Sequence, residues 1–253
     1  MTDIRGGCGQ LCSELNAAWA IAKKDSLIYY LKPNIIVSGM LFPLFMFLAF
    51  AVGRPGAPSD MIPGLITITI LFSASSIEPV SIPIERRMKT FDRLLSAPIS
   101  LHAVVLGESL SGFLYSLGIA FVPLIAGLVL FGLLPGNYLL LVPGLLLTSF
   151  CFATMGTLFA AYPTESPGDI MSMLNVVRLP LIFISGIFIP LTQIPESVRF
   201  VTYLSPLTYG NDLIHAAYSG ETHFSPLVDI AMICLFILAF QFAANRLYKK
   251  FNE

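Results

Sequence analysis

The residues of this chain that could do chemistry are few and scattered. Ser185 stands beside Gly186 in an apolar run, but a serine nucleophile needs a base within hydrogen-bond reach, and no His or Lys falls inside a predicted span. His102, His215 and His223 lie far apart and no H-E-x-x-H occurs, so no hydrolytic metal site takes shape. Cys8 and Cys12 form a C-x3-C pair without a second pair, and Cys151 and Cys234 fall in apolar runs; all four read as free thiols. No G-x-x-x-x-G-K-[ST] is present, so the chain does not itself cradle the phosphates of ATP. Two acids, Glu78 and Glu108, border apolar runs, where burying a carboxylate is costly. Their places near span ends favour salt bridging over proton coupling. No acid sits mid-span, which argues against an ion-driven carrier. On these residues the chain is not an enzyme by itself and binds no cofactor or metal.

Composition sets the elements that must carry these residues. Of 253 residues, 56% are hydrophobic and 11% charged, with mean hydropathy +0.81; soluble domains carry roughly 25% charged residues. A net charge of −1 gives no sign of a nucleic-acid partner. The lipid bilayer is the first partner implied. A hydrocarbon core of about 30 Å needs roughly 20 apolar residues per helix, and six stretches meet or approach that length: 34–52, 61–82, 104–131, 138–161, 179–194 and 226–244. The first thirty residues are polar and mixed, without the apolar core of a cleavable leader. Within them Leu11, Leu15, Ala18, Trp19 and Ala22 recur at helical spacing with Lys23 and Lys24 opposite, which predicts an amphipathic helix lying in the headgroup region.

The strongest local signal is a charged island, Glu85-Arg86-Arg87-Met88-Lys89-Thr90-Phe91-Asp92-Arg93-Leu94-Leu95, between the second and third spans. Phe91, Leu94 and Leu95 fall at i, i+3 and i+4, the spacing of one apolar helix face, and Pro98 ends the segment. It is either a headgroup anchor or a docking helix for another protein. Twelve Lys and Arg residues fall on its side of the membrane, Arg178 among them, against Arg54 and Arg199 on the other. This bias places both termini and the island in the cytoplasm, as in a multi-pass protein of a prokaryotic plasma membrane. The segment between spans five and six is too apolar for a free loop and too broken for a span. It predicts a hairpin dipping back from the outer face, or else a plain exterior loop. A row of small residues, Ser149, Ala153, Gly156 and Ala160, suits close helix packing within the chain or across a dimer face.

These residues resemble the ABC type 2 transporter permeases. Glu85-Arg86, then Thr90-Phe91-Asp92-Arg93-Leu94-Leu95-Ser96-Ala97-Pro98-Ile99-Ser100 and Gly107-Glu108, is similar to that family's signature. So are Asn175, Pro180, Ser185-Gly186, Pro190 and Pro195 through the fifth span, and Ser205-Pro206-Leu207-Thr208-Tyr209 with Asp212. The chain departs from the family pattern at Lys89, where a Gly is usual, at Glu108, where a Lys is common, and at His215, where a basic residue is frequent. The resemblance implies an all-α integral membrane fold of six spans, with a cytoplasmic N-terminus and connecting helix over 1–33, a transmembrane domain over 34–244 and a tail over 245–253. It implies an ATPase-coupling loop at 84–102, carried by Glu85, Arg86, Arg87, Thr90, Phe91, Asp92, Arg93, Leu94 and Leu95. It also implies a re-entrant external hairpin at 195–223, with Pro195, Pro206, Tyr209 and Asp212. The function so implied is the permease subunit of an ATP-binding-cassette exporter. It would work as a dimer with a second copy or a related permease, driven by separate cytoplasmic P-loop ATPase subunits that hold the ATP and magnesium. Cargo would be a small hydrophobic, glycan or lipid molecule, with Phe42, Met46 and Phe72 as candidate cavity residues. The alternative is an ATP-independent channel, or an assembly protein that binds partners through its loops.

Overall fold

A backbone in hydrocarbon must satisfy its own N–H and C=O groups, and the long apolar runs of this chain do so as helices. The computed structural model describes residues 4–41, 43–45, 48, 58–188 and 200–252, and all regular structure among them is helical. In chain order these are α1 (Ile4–Ile28), α2 (Pro33–Ile36) with a π-helical turn at Val37–Leu41, α3 (Pro58–Ala74), α4 (Glu78–Arg87) and α5 (Thr90–Leu95). Then come α6 (Leu101–Phe131), α7 (Tyr138–Ala160), α8 (Pro167–Ile184), a 3-10 turn at Thr202–Leu204, α9 (Pro206–Ser219) and α10 (Pro226–Asn252).

Among the described residues, five helices are long and apolar enough to cross a membrane: Met61–Arg87, which joins α3 to α4, Leu101–Phe131, Tyr138–Ala160, Pro167–Ile184 and Pro226–Phe251. Met61–Arg87 is the axis of the bundle, its apolar window wholly buried, with α6, α7 and α9 packed on it. By contrast α6 and α10 leave large apolar side chains outward, among them Phe121, Ile125 and Val129, and Leu235, Leu238 and Phe242. Outward apolar side chains on a membrane-crossing helix are the surface that lipid covers.

The fifth span differs from the expected 179–194. The helix begins at Pro167, whose missing N–H costs nothing at a first turn, and ends at Ile184, with Gly186 at φ +86° just beyond. Arg178 therefore lies within a span and not in a loop, and is fully buried. The remaining eleven cations still outnumber Arg54 and Arg199. Ser185 donates to the Ile182 carbonyl at 2.7 Å, a backbone-bonding role. Of the expected first span, 34–52, only the start is covered by α2 and the π-helical turn; Phe42 and Met46 lie outside the described residues.

The two ends of the bundle are distinct. At one, Arg86 reaches the carbonyls of Ala161 and Tyr162, and Tyr162 meets Phe251 with ring centroids 6.4 Å apart. Loops 88–100 and 161–166 and the C-terminus thus share an end. At the other, the Asn137 amide donates to the Ala217 carbonyl at 3.1 Å, so the α6–α7 turn meets the end of α9. The row Ser149, Ala153, Gly156 and Ala160 is buried inside this chain, where it lets α7 approach α4: a Cβ on Gly156 would stand 2.9 Å from Ser75 Cα.

Candidate functional site

The charged island folds as the end of α4 and the short helix α5, with one face in the protein and one exposed. α4 continues the central span, so its last turn is carried on a rigid element. It ends at Met88, and Lys89 adopts a left-handed backbone, φ 58°, before α5 begins. The Thr90 hydroxyl donates to the Glu85 carbonyl at 3.2 Å, closing the turn. Phe91 is completely buried, against Tyr248 of α10 at 6.0 Å between centroids and beneath the Arg86 guanidinium at 5.4 Å. Leu94 and Leu95 pack partly buried against the same core.

This arrangement divides the nine predicted loop residues. Glu85, Arg86, Thr90, Phe91, Leu94 and Leu95 hold the loop to the bundle. Arg87, Asp92 and Arg93 are exposed, together with Met88 and Lys89. Arg86 donates to the Tyr162 carbonyl at 3.1 Å and the Ala161 carbonyl at 3.3 Å. These follow the last turn of α7, where unpaired carbonyls and the negative end of the helix dipole favour a cation.

Behind the loop lies a buried ionic cluster that the sequence reading did not assemble. α1 does not merely lie on the membrane: Ala18, Ile21, Ala22 and Asp25 are buried against α6. A Cβ on Gly107 would come 2.8 Å from the Ala18 carbonyl oxygen, so only glycine allows this approach. Leu15 and Trp19 stay exposed on the outer side, suited to headgroups. Lys24, expected to face away with Lys23, turns inward to Glu85 at 2.6 Å, Asp25 at 3.1 Å and Glu108 at 3.9 Å. Burial opposes the Lys24 charge, but Glu108, Asp25 and Glu85 outweigh it and hold the ammonium above its ordinary value. Burial, opposed by Lys24 and reinforced by Glu85, pushes the Asp25 carboxyl up to about 6. Tyr29 also donates to Glu85 at 3.3 Å. Glu108, where the family pattern has a Lys, thus faces a Lys supplied by α1. The only sequence signal for this cluster was the unusual acid at that position.

A second polar centre sits deeper. α3 and α4 are separated by a break at Ser75-Ser76-Ile77. Arg178 fills it, its Nε donating to Ser75 Oγ at 3.0 Å and its terminal nitrogens to the Ser75 carbonyl and to Ser76 Oγ. Its guanidinium also covers Phe72 at 5.1 Å. Phe72 is 2% exposed and sits in the core. Glu78, at the start of α4, accepts from the Gly112 amide at 2.9 Å. Glu78 and Glu108 are both buried in the protein, Glu108 in the salt-bridging role expected of it, 3.9 Å from Lys24.

The third motif forms α9, which is 14 residues long, about 21 Å at 1.5 Å per residue, and too short to cross. Pro206 opens it. Tyr209 donates to the Tyr203 carbonyl at 2.8 Å, and its ring stacks with Phe224 at 5.5 Å. Asp212 accepts from the amides of His223 and Phe224 at 2.8 to 3.0 Å, tying α9 to the start of α10. Pro195 lies outside the described residues. Among the described residues no cluster of His, Cys, Asp and Glu is placed to hold a metal ion.

Membrane-crossing helices around a central span whose apolar window is wholly buried, with an exposed cationic tip at one end, define a polytopic membrane protein. The chain belongs to the ABC-2 type transporter family, whose model matches residues 16–218. It is similar to the inner membrane transport permease YadH of Escherichia coli (strain K12), 22% identical over 180 residues, covering 71% of this chain and 70% of that protein. Nodulation protein J of Rhizobium leguminosarum bv. trifolii is 26% identical over 246 residues, covering 92% and 89%. Nodulation protein J of Sinorhizobium fredii (strain NBRC 101917 / NGR234) is 27% identical over 205 residues, covering 78% and 76%. The chain is thus a multi-pass membrane transport permease of this family.

Proposed function

We propose that this permease is the membrane subunit of an ATP-binding-cassette exporter, driven through the α4–α5 tip by a separate cytoplasmic P-loop ATPase. One observation carries the reading: Arg87, Met88, Lys89, Asp92 and Arg93 are exposed on a loop whose other face is anchored to the bundle. A protein pressing on that face pushes directly on α4 and the central span. The tip's inner residues, Phe91 and Arg86, pass the same force to α10 and to the end of α7. ATP and magnesium belong to the ATPase subunit. Two copies of the chain, or one copy and a related permease, form the pathway for a hydrophobic, glycan or lipid cargo. The tip, the N-terminus and the C-terminus face the cytoplasm, and α9 belongs to the external hairpin.

The test is gentle-detergent purification of the tagged chain from its native membrane. A P-loop ATPase should co-purify at about equal stoichiometry. Arg87→Glu with Arg93→Glu should remove it while the chain still inserts and folds. Retention of the ATPase and of transport by that variant would deny the tip its role. Purification of an intact chain with no ATPase would favour an ATP-independent membrane protein.

A further inference from the structure

At the charged end of the bundle a cleft of about 520 Å³ opens between the start of α6 and the last turns of α10, within the roughly 300–1,000 Å³ of small-molecule sites. From α10 it takes Phe242, Asn245, Arg246, Lys249 and Lys250, positions that fall at i, i+3, i+4, i+7 and i+8 and therefore on one helix face. From α6 come Leu101 and His102, whose first turn presents the positive end of a helix dipole. Among the described residues that line it there is no carboxylate. Arg246, Lys249 and Lys250 are exposed, and the Arg246 guanidinium lies over the Phe242 ring at 4.9 Å.

The same face of α10 continues into the membrane as Leu235, Leu238 and Phe242, exposed by 58%, 67% and 62%. One helix face thus changes from apolar to cationic where a membrane-crossing helix leaves hydrocarbon. We propose that this cleft binds the phosphate headgroup of an anionic phospholipid, with an acyl chain lying along Leu238 and Leu235. A phosphate anion meets Arg246, Lys249 and Lys250, while the glycerol region rests on Phe242 and Leu101. A free phosphate ester would use the cations but would leave the apolar half of the stripe unoccupied, and this favours the lipid as source.

The test uses the full chain, delipidated in neutral detergent and offered equal amounts of phosphatidylglycerol and phosphatidylcholine with identical acyl chains. Retained lipid is counted by native mass spectrometry. Phosphatidylglycerol should be enriched about tenfold or more, given the attraction of a few Lys and Arg for an anionic lipid. The triple variant Arg246→Gln, Lys249→Gln, Lys250→Gln should bring the ratio near parity. Arg87→Gln with Arg93→Gln, which removes cations elsewhere at the same end, should leave it unchanged. Single Arg246→Gln, a lesser perturbation, should give an intermediate ratio. Parity in the unaltered chain, or equal loss in both multiple variants, overturns the proposal. Displacement of the lipid by an equal concentration of glycerol phosphate assigns the site to free phosphate esters and overturns the lipid reading.

Discussion

Lys89 occupies backbone that L-residues avoid, φ 58°, at the position where the family pattern has glycine. A side chain in the left-handed region costs roughly 1–2 kcal/mol, and glycine's greater freedom in the unfolded chain returns part of that difference. Lys89→Gly should therefore raise the thermal stability of the solubilised chain by up to about 1 kcal/mol, and Lys89→Val should lower it, because β-branching is worst at positive φ. A valine variant as stable as the parent would show that the turn relaxes to another backbone. Arg178 makes a larger claim. Its guanidinium satisfies the helix break at Ser75 and Ser76, and the field of Glu78 reaches it. Each buried hydrogen-bonding group left unsatisfied costs about 1–3 kcal/mol, and several would be orphaned at once, so Arg178→Leu should abolish a folded, monodisperse chain. Lys should rescue it poorly, since a point charge cannot serve several acceptors in a planar fork. Size-exclusion chromatography of the variants decides between them.

The tip is an assembly of elements, and its two arginines should separate on that account. Arg86→Ala removes two hydrogen bonds from the end of α7 and should cost about 1.5–3 kcal/mol; Arg87→Ala, exposed, should stay within about 0.5 kcal/mol of the parent. Thermal unfolding of both variants checks the division. α1 adds a pH dependence. With Asp25 at about 6 in the fold against an ordinary value of about 3.9, the folded chain binds the extra proton between those values. This contribution is complete below pH 4 and lost as pH rises through 6. Asp25→Asn should flatten that part of the stability profile, and an unchanged slope would assign it to the other carboxylates of the cluster. The island itself was legible, because charge cannot follow its apolar flanks into lipid, and so was the inward face of α5 at Phe91, Leu94 and Leu95. Which charges face outward was not, because the left-handed Lys89 resets the helical phase between α4 and α5. Nor was the place of Arg178 or Lys24. Ser75 lies 103 residues from Arg178 and Glu85 lies 61 from Lys24, so local periodicity alone reads both cations as solvated.

At the scale of the whole molecule the described helices set out which elements lie at each end of the bundle. α1 sits at the charged end, since Lys24 meets Glu85. α3 starts at the opposite end, where a Cβ on Gly127 in the last turns of α6 would touch Ile62. α2 and the π-helical turn, which follow α1, run into the bundle: Gly39 lies against Ser73, midway along the central span. The six crossings expected from the sequence, an even number, would return the C-terminus to the side of the N-terminus. Protease-sensitive tags at the two ends should then both be protected in intact spheroplasts and both be cut after permeabilisation. Single cysteines at Leu134 and Glu221, in a background without native cysteines, should react with a membrane-impermeant maleimide in intact cells. Cysteines at Arg93 and Glu165 should react only once the membrane is opened. Tags on opposite sides would mean an odd number of crossings and would overturn this topology.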